Sequence, residues 1–194
     1  MISRLTIFLL LLFIHEQSFP QGKKYVEDFT LKDAREGKNY SLSTLGNPKG
    51  ILVIFNSVEC PYSLHYDSRI VELAKKYSGK GISFLMINSN FGKKESAENL
   101  DIIKSYANTL DFPCLIDITQ DAMNKFGTRK NPEVFLLKPE DGKFSIFYRG
   151  AIDDNPQVEH DVRTPYLENA INQFLQNRNA NPAFVNPAGC IVKK

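Results

Sequence analysis

The chain of 194 residues is long enough for one domain with a substantial core, and its shares of hydrophobic (42%) and charged residues (24%) are ordinary for a globular protein. The formal net charge of +2 and the lack of a Lys/Arg-rich run argue against nucleic acid or an anionic membrane surface as a partner. Three cysteines are too few for a disulfide scaffold, so the chemistry of each is considered separately.

Residues 1–22 have the organisation of a secretory signal peptide. Arg4 provides the positive charge, and the apolar run at 5–14 fits a signal core but is too short to span a bilayer. We therefore expect cleavage near residue 22, a secreted or periplasmic mature protein without a membrane span, and an oxidising compartment in which disulfides persist. An uncleaved N-terminal anchor is the alternative.

The stretch at 51–69 combines a buried strand with a cysteine at the start of a helix. Residues 51–55 are all apolar, which is typical of a strand covered on both faces, and apolar residues recur at helical spacing after Pro61. Proline is favoured at the first position of a helix. Cys60 is therefore expected at a helix N-terminus, where free N–H groups and the helix dipole stabilise a thiolate. The alternative is a buried structural cysteine.

The pattern over residues 23–178 predicts a single α/β domain. Residues 82–87 form a second buried strand, so strand, helix and strand make a parallel βαβ unit. The polar run at 88–90 follows this strand, at the edge where α/β sheets bind ligands, although a plain polar loop is the alternative. The remaining expected elements are helix 95–110, strand 114–118, helix 120–126, strand 133–137, strand 144–149 and helix 165–177.

The other two cysteines have different expected surroundings. Cys114 begins a short strand and is expected in the core. Cys190 lies in a C-terminal tail at 179–194, which is rich in Asn, Pro and Gly and is expected to be flexible.

The order of elements, with a cysteine at the first strand–helix junction, resembles the thioredoxin fold, an α/β fold with a central mixed β-sheet flanked by helices. The motifs that resemble redoxins and peroxiredoxins are Asp28-Phe29-Thr30-Leu31, Cys60-Pro61-Tyr62 with Tyr66 and Arg69, Asn131-Pro132 at the place of the family's cis-proline, the segment 149–155, and Gly189-Cys190. The chain is therefore similar to peroxiredoxin-like redoxins of the AhpC/TSA type from the bacterial cell envelope.

This resemblance implies a thiol-based oxidoreductase with Cys60 as the redox nucleophile. The thiolate would attack a peroxide or a protein or small-molecule disulfide, and a thioredoxin-like or low-molecular-weight thiol would restore it. Cys190 is the candidate resolving thiol, with an unrelated free thiol as the alternative. No cofactor or metal is implied. The supporting residues implied are Ser57 and Arg129 beside the reacting groups, and Pro61, Tyr62, Asn131 and Pro132 at the substrate site.

The sequence also departs from the family pattern. Ser63 stands where a dithiol oxidoreductase has its second cysteine, so Cys60 cannot close a local disulfide. Val53 stands where peroxiredoxins have a motif proline, so the peroxide site is only partly matched. Two other functions are considered: a thioredoxin-fold binding module without turnover, and a copper-binding or metallochaperone protein of the cell envelope. The sequence contains no Cys-x-x-Cys pair of the kind that would bind copper.

Overall fold

A computed structural model describes residues 25–194, which form eleven strands and four α-helices. The strands are β1 (Tyr25–Val26), β2 (Leu31–Asp33), β3 (Asn39–Tyr40), β4 (Gly50–Phe55), β5 (Ile82–Asn88), β6 (Cys114–Ile116), β7 (Lys130–Asn131), β8 (Glu133–Glu140), β9 (Lys143–Gly150), β10 (Phe184–Val185) and β11 (Cys190–Ile191). The helices are α1 (Pro61–Tyr77), α2 (Leu100–Ala107), α3 (Asp121–Phe126) and α4 (Tyr166–Leu175), with 3-10 turns at Leu42–Thr44, Ser78–Lys80 and Glu159–Asp161.

A mixed sheet organises the described residues, with the strand order β1-β9-β8-β4-β5-β6-β2-β3 and β10 beside β9. The predicted parallel βαβ unit is present, because β4 and β5 pair in parallel on either side of α1 in the chain. β8 pairs antiparallel with β4 and with β9, and the β8–β9 hairpin turns at Asp141-Gly142.

The uninterrupted apolar sequence of β4 is explained by cover on both faces of the sheet. Residues 51–55 are all 0% exposed, and alternate side chains enter two different hydrophobic clusters. Leu52 and Ile54 pack in the cluster that includes residues of α1, α2 and α4. Ile51, Val53 and Phe55 pack in the cluster that includes α3. The ring of Phe126 at the end of α3 lies 5.1 Å from that of Phe55 and 4.9 Å from that of Phe135.

Helix α2 begins later than the sequence predicts. The expected helix at 95–110 starts only at Leu100, because the Asn99 side chain caps it by accepting the Ile102 N–H at 3.0 Å. The preceding Glu98 is instead 7% exposed and directed into a polar network. β6 is likewise shorter than predicted and ends at Ile116.

The C-terminal tail is more ordered than its composition suggests. β10 pairs in parallel with β9, and β11 pairs antiparallel with β7. The predicted signal peptide at 1–22 lies outside the described residues. Within 25–194, no helix is long and apolar enough to cross a membrane.

Candidate active site

Cys60 lies at the junction between β4 and α1, as the sequence predicts. It is the N-cap of α1 with an extended backbone, and Pro61 occupies the first helical turn. The Cys60 N–H donates to the Ser57 carbonyl at 3.2 Å, which closes the turn between strand and helix. The residue is only 1% exposed. The fold thus places its sulfur at a helix N-terminus, which stabilises a thiolate.

Cys60 and Cys190 form a disulfide bond. Their Cα atoms are 5.9 Å apart although 130 positions separate them in the chain, and a disulfide requires this distance to be below about 7 Å. Cys60 is buried, whereas Cys190 is half-buried. The two cysteines that the resemblance singles out are therefore brought together, and Cys190 is the more exposed residue of the pair.

The loop that contains Pro132 lies directly against the disulfide. The Asn131–Pro132 peptide bond is cis, and the Asn131 carbonyl oxygen lies 3.1 Å from the Cys60 sulfur. β11 pairs with β7 so that Cys190 is opposite Asn131. The Asn131 side-chain amide is fully buried, and it has no hydrogen-bond partner among residues 25–194.

Gly189 allows the tail to approach this loop. A Cβ atom at position 189 would lie 2.4 Å from the Asn131 carbonyl oxygen and 2.8 Å from the carbonyl carbon. Because both atoms belong to the backbone, a side chain there would force the tail away from the cis-proline loop. The residue before Cys190 must therefore be glycine for β11 to pair as it does.

A buried carboxylate that the sequence did not reveal supports the turn before Cys60. Glu98 accepts hydrogen bonds from the Ser57 hydroxyl at 2.6 Å and from the Asn88 amide at 2.7 Å. Its Oε1 also accepts the Glu59 N–H at 3.3 Å. Asn90 donates to the Ser57 hydroxyl at 3.0 Å, so the polar run at 88–90 belongs to the site region. Nothing distinguished Glu98 in the sequence, because it fell within an expected helix.

The other predicted site residues surround the disulfide unequally. Ser57 is 0% exposed and its hydroxyl is bonded to Glu98. Arg129 is exposed and contacts the tail through its carbonyl oxygen, which accepts the Val192 N–H at 2.9 Å. Pro61 is exposed and Tyr62 is half-buried. The roles expected for these side chains in the reaction stay predictions.

Cys114 is buried in the core, as expected, and is not part of a disulfide. Burial, assisted by the negative charge of Asp33, raises the pKa of its thiol to about 12. It is therefore protonated at neutral pH and unsuited to nucleophilic attack. Among the described residues, no group of three or more His, Cys, Asp and Glu side chains is placed to hold a metal ion.

The sheet, the helix that begins directly after Cys60 and the cis-proline loop beside it define a thioredoxin-like fold, which confirms the predicted fold class. The AhpC/TSA family matches residues 23–145, and the chain belongs to this family. Membership supports a thiol oxidoreductase that works on thiol or disulfide partners. None of the curated proteins compared with this chain matches it.

Solved structures agree with this assignment. A hypothetical protein, SMc02350, from Sinorhizobium meliloti 1021 is 26% identical with a TM-score of 0.78, covering 88% of this chain and 92% of its own. An uncharacterized conserved protein from Geobacillus kaustophilus is 25% identical with a TM-score of 0.80, covering 92% and 94%. The exposed lipoprotein thioredoxin Etrx1 from Streptococcus pneumoniae is 23% identical with a TM-score of 0.54, covering 77% and 98%, and shows the fold alone.

Proposed function

We propose that the protein catalyses thiol–disulfide exchange, with Cys60 as the nucleophile and Cys190 as the resolving thiol. The observation that carries this proposal is the disulfide between the helix N-terminal cysteine and the tail. Because Ser63 replaces a second helix cysteine, a distant residue must supply the resolving thiol. Cys190 meets this requirement in its oxidised state.

The reaction proceeds in two balanced steps. The Cys60 thiolate attacks one sulfur of a partner disulfide, forms a mixed disulfide and releases the partner's other cysteine as a thiolate. The Cys190 thiolate then attacks the Cys60 sulfur and expels the remaining partner cysteine as a thiolate. The partner gains two electrons and becomes a dithiol, while this protein becomes the Cys60–Cys190 disulfide. The Asn131–Pro132 loop and Tyr62 would border the partner's sulfur, with Pro61 at the helix edge.

The different exposure of the two cysteines suggests how the Cys60–Cys190 disulfide is reduced again. An external thiolate meets half-buried Cys190 before it meets Cys60, which is 1% exposed. Attack at Cys190 releases Cys60 as the thiolate leaving group, and a stabilised thiolate leaves faster. A second reductant thiol then frees Cys190. A thioredoxin-like protein or a low-molecular-weight thiol can supply both thiols.

Reduction of peroxides is the second candidate, because the AhpC/TSA family matches the chain. In that reaction the Cys60 thiolate would displace hydroxide from the peroxide and become a sulfenic acid, which Cys190 would condense into the same disulfide. The Ser57 hydroxyl is expected to bond the reacting oxygen and Arg129 to stabilise the thiolate. In the disulfide form, however, the Ser57 hydroxyl is engaged by Glu98, so exchange is the better-supported reaction.

We further propose that the mature protein is secreted or periplasmic. The sequence of residues 1–22 and the presence of a disulfide both support this location, since disulfides persist in oxidising compartments.

The deciding measurement compares the oxidation rate of reduced Cys60 by a small disulfide with its rate by hydrogen peroxide. We expect Cys60 to react with the small disulfide faster than a free thiol does at the same pH. Cys60→Ser should abolish this reaction, and Cys190→Ser should abolish turnover. Faster reaction with peroxide, with turnover restored by a dithiol, would establish the peroxidase instead. Rates no higher than those of a free thiol with either reagent would reject catalysis and favour a binding module.

A further inference from the structure

The tail is held beyond its disulfide by a second set of contacts that the exchange reaction does not need. Val192 is 5% exposed and packs in the hydrophobic cluster that contains Met123 and Phe126 of α3. Its N–H donates to the Arg129 carbonyl oxygen at 2.9 Å, which continues the pairing of β11 with β7 by one residue. Two positions after the cysteine, the chain therefore inserts an aliphatic side chain into an apolar site.

The next tail residue is bound through both its backbone and its side chain. The Lys193 N–H donates to Asn90 Oδ1 at 2.9 Å, and its carbonyl oxygen accepts a hydrogen bond from Gln120 Nε2. Lys193 Nζ donates to the Glu95 carbonyl at 2.6 Å and lies 3.3 Å from a carboxylate oxygen of Glu59. Backbone recognition accepts any extended residue here, whereas the carboxylate selects a cation.

The two amides that hold Lys193 are held by the protein itself. Asn90 is 1% exposed and donates to the Ser57 hydroxyl at 3.0 Å. Gln120 is 8% exposed and also donates to the Ser89 carbonyl at 2.9 Å. These bonds do not involve the tail, so each amide is also held by the body of the protein. Preorganised polar groups of this kind are characteristic of a binding site.

We propose that the apolar site under Val192, together with Asn90, Gln120 and Glu59, is a recognition site for a cysteine-bearing extended segment of a partner protein. We call it the tail receptor. The preferred segment has a glycine before the cysteine, an aliphatic residue two positions after it and a lysine or arginine three positions after it. The chain's own tail occupies the receptor in the oxidised protein.

The tail itself indicates which positions are selected. Glycine is required before the cysteine because a Cβ would lie 2.4 Å from the Asn131 carbonyl oxygen. Ile191, directly after the cysteine, is 76% exposed and imposes no choice. Selectivity therefore comes from the positions of Gly189, Val192 and Lys193.

The proposal rests on the exchange reaction proposed above and adds a step of strand exchange to it. In the mixed disulfide, the partner's cysteine is bonded to Cys60 and its following residues lie in the tail receptor. The tail must displace this segment before the Cys190 thiolate can attack the Cys60 sulfur and release the partner's thiolate. No atoms or electrons are added to the exchange by this step.

The test uses reduced Cys190→Ser protein and synthetic peptides with the sequence of residues 187–194, each carrying thionitrobenzoate on its cysteine through a disulfide. Attack by Cys60 on the peptide sulfur releases coloured thionitrobenzoate, which gives the rate. Replacing the residue that corresponds to Val192 by aspartate should slow the reaction at least about tenfold, since the apolar contact is lost. Aspartate at the position of the exposed Ile191 is the matched control and should change the rate less than about twofold.

A second variant tests competition with the resident tail. Adding Val192→Asp to the Cys190→Ser protein should release the tail. The peptide with the natural sequence should then react faster with this double variant than with the Cys190→Ser protein. Equal rates for all peptides, each faster than free thiols, would overturn the receptor while leaving exchange by Cys60 intact. No reaction with any peptide or with a small disulfide would overturn the exchange function and the receptor together.

Discussion

The steric fit of Gly189 makes a quantitative test of tail docking. In Gly189→Ala, the added Cβ would lie 2.4 Å from the Asn131 carbonyl oxygen, whereas ordinary contacts begin near 3.4 Å. The obstacle is backbone on the opposing strand, so the tail must shift by about 1 Å or leave. The backbone at Gly189 is not in the left-handed region, so alanine is conformationally acceptable and the clash is the only new term.

The magnitude follows from the contacts that such a shift breaks. Full burial of a valine side chain is worth about 1.5–3 kcal/mol, and each net hydrogen bond about 1 kcal/mol. Partial loss of the Val192 contact and of the Lys193 bonds should weaken docking by about 2–4 kcal/mol. The disulfide requires the docked tail, whereas the dithiol form can release it, so the reduction potential should become less negative by up to about 40–90 mV.

The assay equilibrates the protein in defined thiol–disulfide buffers and counts free cysteines by alkylation and mass spectrometry. Gly79→Ala is the matched control, because a Cβ there meets nothing within 4 Å. The reasoning is refuted if Gly189→Ala keeps the potential of the unmodified protein within about 10 mV. That result would mean that the tail accommodates the methyl group without losing its contacts.

Three further outcomes test the site and its support. Burial raises the pKa of Cys114 to about 12, so the reduced native protein should expose two reactive thiols to alkylation at neutral pH, and three after denaturation. Glu98→Ala leaves the Ser57 O–H and the Asn88 side-chain N–H without their buried acceptor, which should lower the free energy of unfolding in urea by about 2–5 kcal/mol. Burial opposes ionisation of Asp33, but hydrogen bonds from the Arg35 side chain and from three backbone N–H groups lower its pKa. Its contribution to stability is therefore present above about pH 4 and lost as the pH falls through its folded pKa, so Asp33→Asn should weaken the acid dependence of unfolding.

The central fold could be predicted because its signals are local. Residues 51–55 are apolar without interruption, which is required only of a strand covered on both faces, and β4 is buried in this way. Pro61 fixed the start of α1 to within a residue, because proline is tolerated only in the first turn. These two signals together place Cys60 correctly.

The parts that were wrong or missed depend on distant contacts. Helix α2 starts at Leu100, where Asn99 caps it, and the preceding Glu98 instead accepts a hydrogen bond from Ser57, 41 positions earlier in the chain. The tail strands are only two residues long, too short for the β-favouring Phe184, Val185 and Ile191 to identify them, and they are fixed by pairing with β7 and β9. Helical periodicity contains no information about such partners.

The tail shows where composition misleads and what would have corrected it. Asn, Pro and Gly suggest flexibility, yet Gly189 is needed here for close approach to another backbone, a use of glycine that is as specific as a core contact. A glycine directly before the candidate resolving cysteine was the one local sign of docking. In the proposed exchange, docking and reduction are linked: breaking the disulfide at half-buried Cys190 restores the Cys60 thiolate and, in the same event, leaves the tail held only by its noncovalent contacts. The state that can attack a partner is therefore also the state in which the partner can compete for the tail receptor.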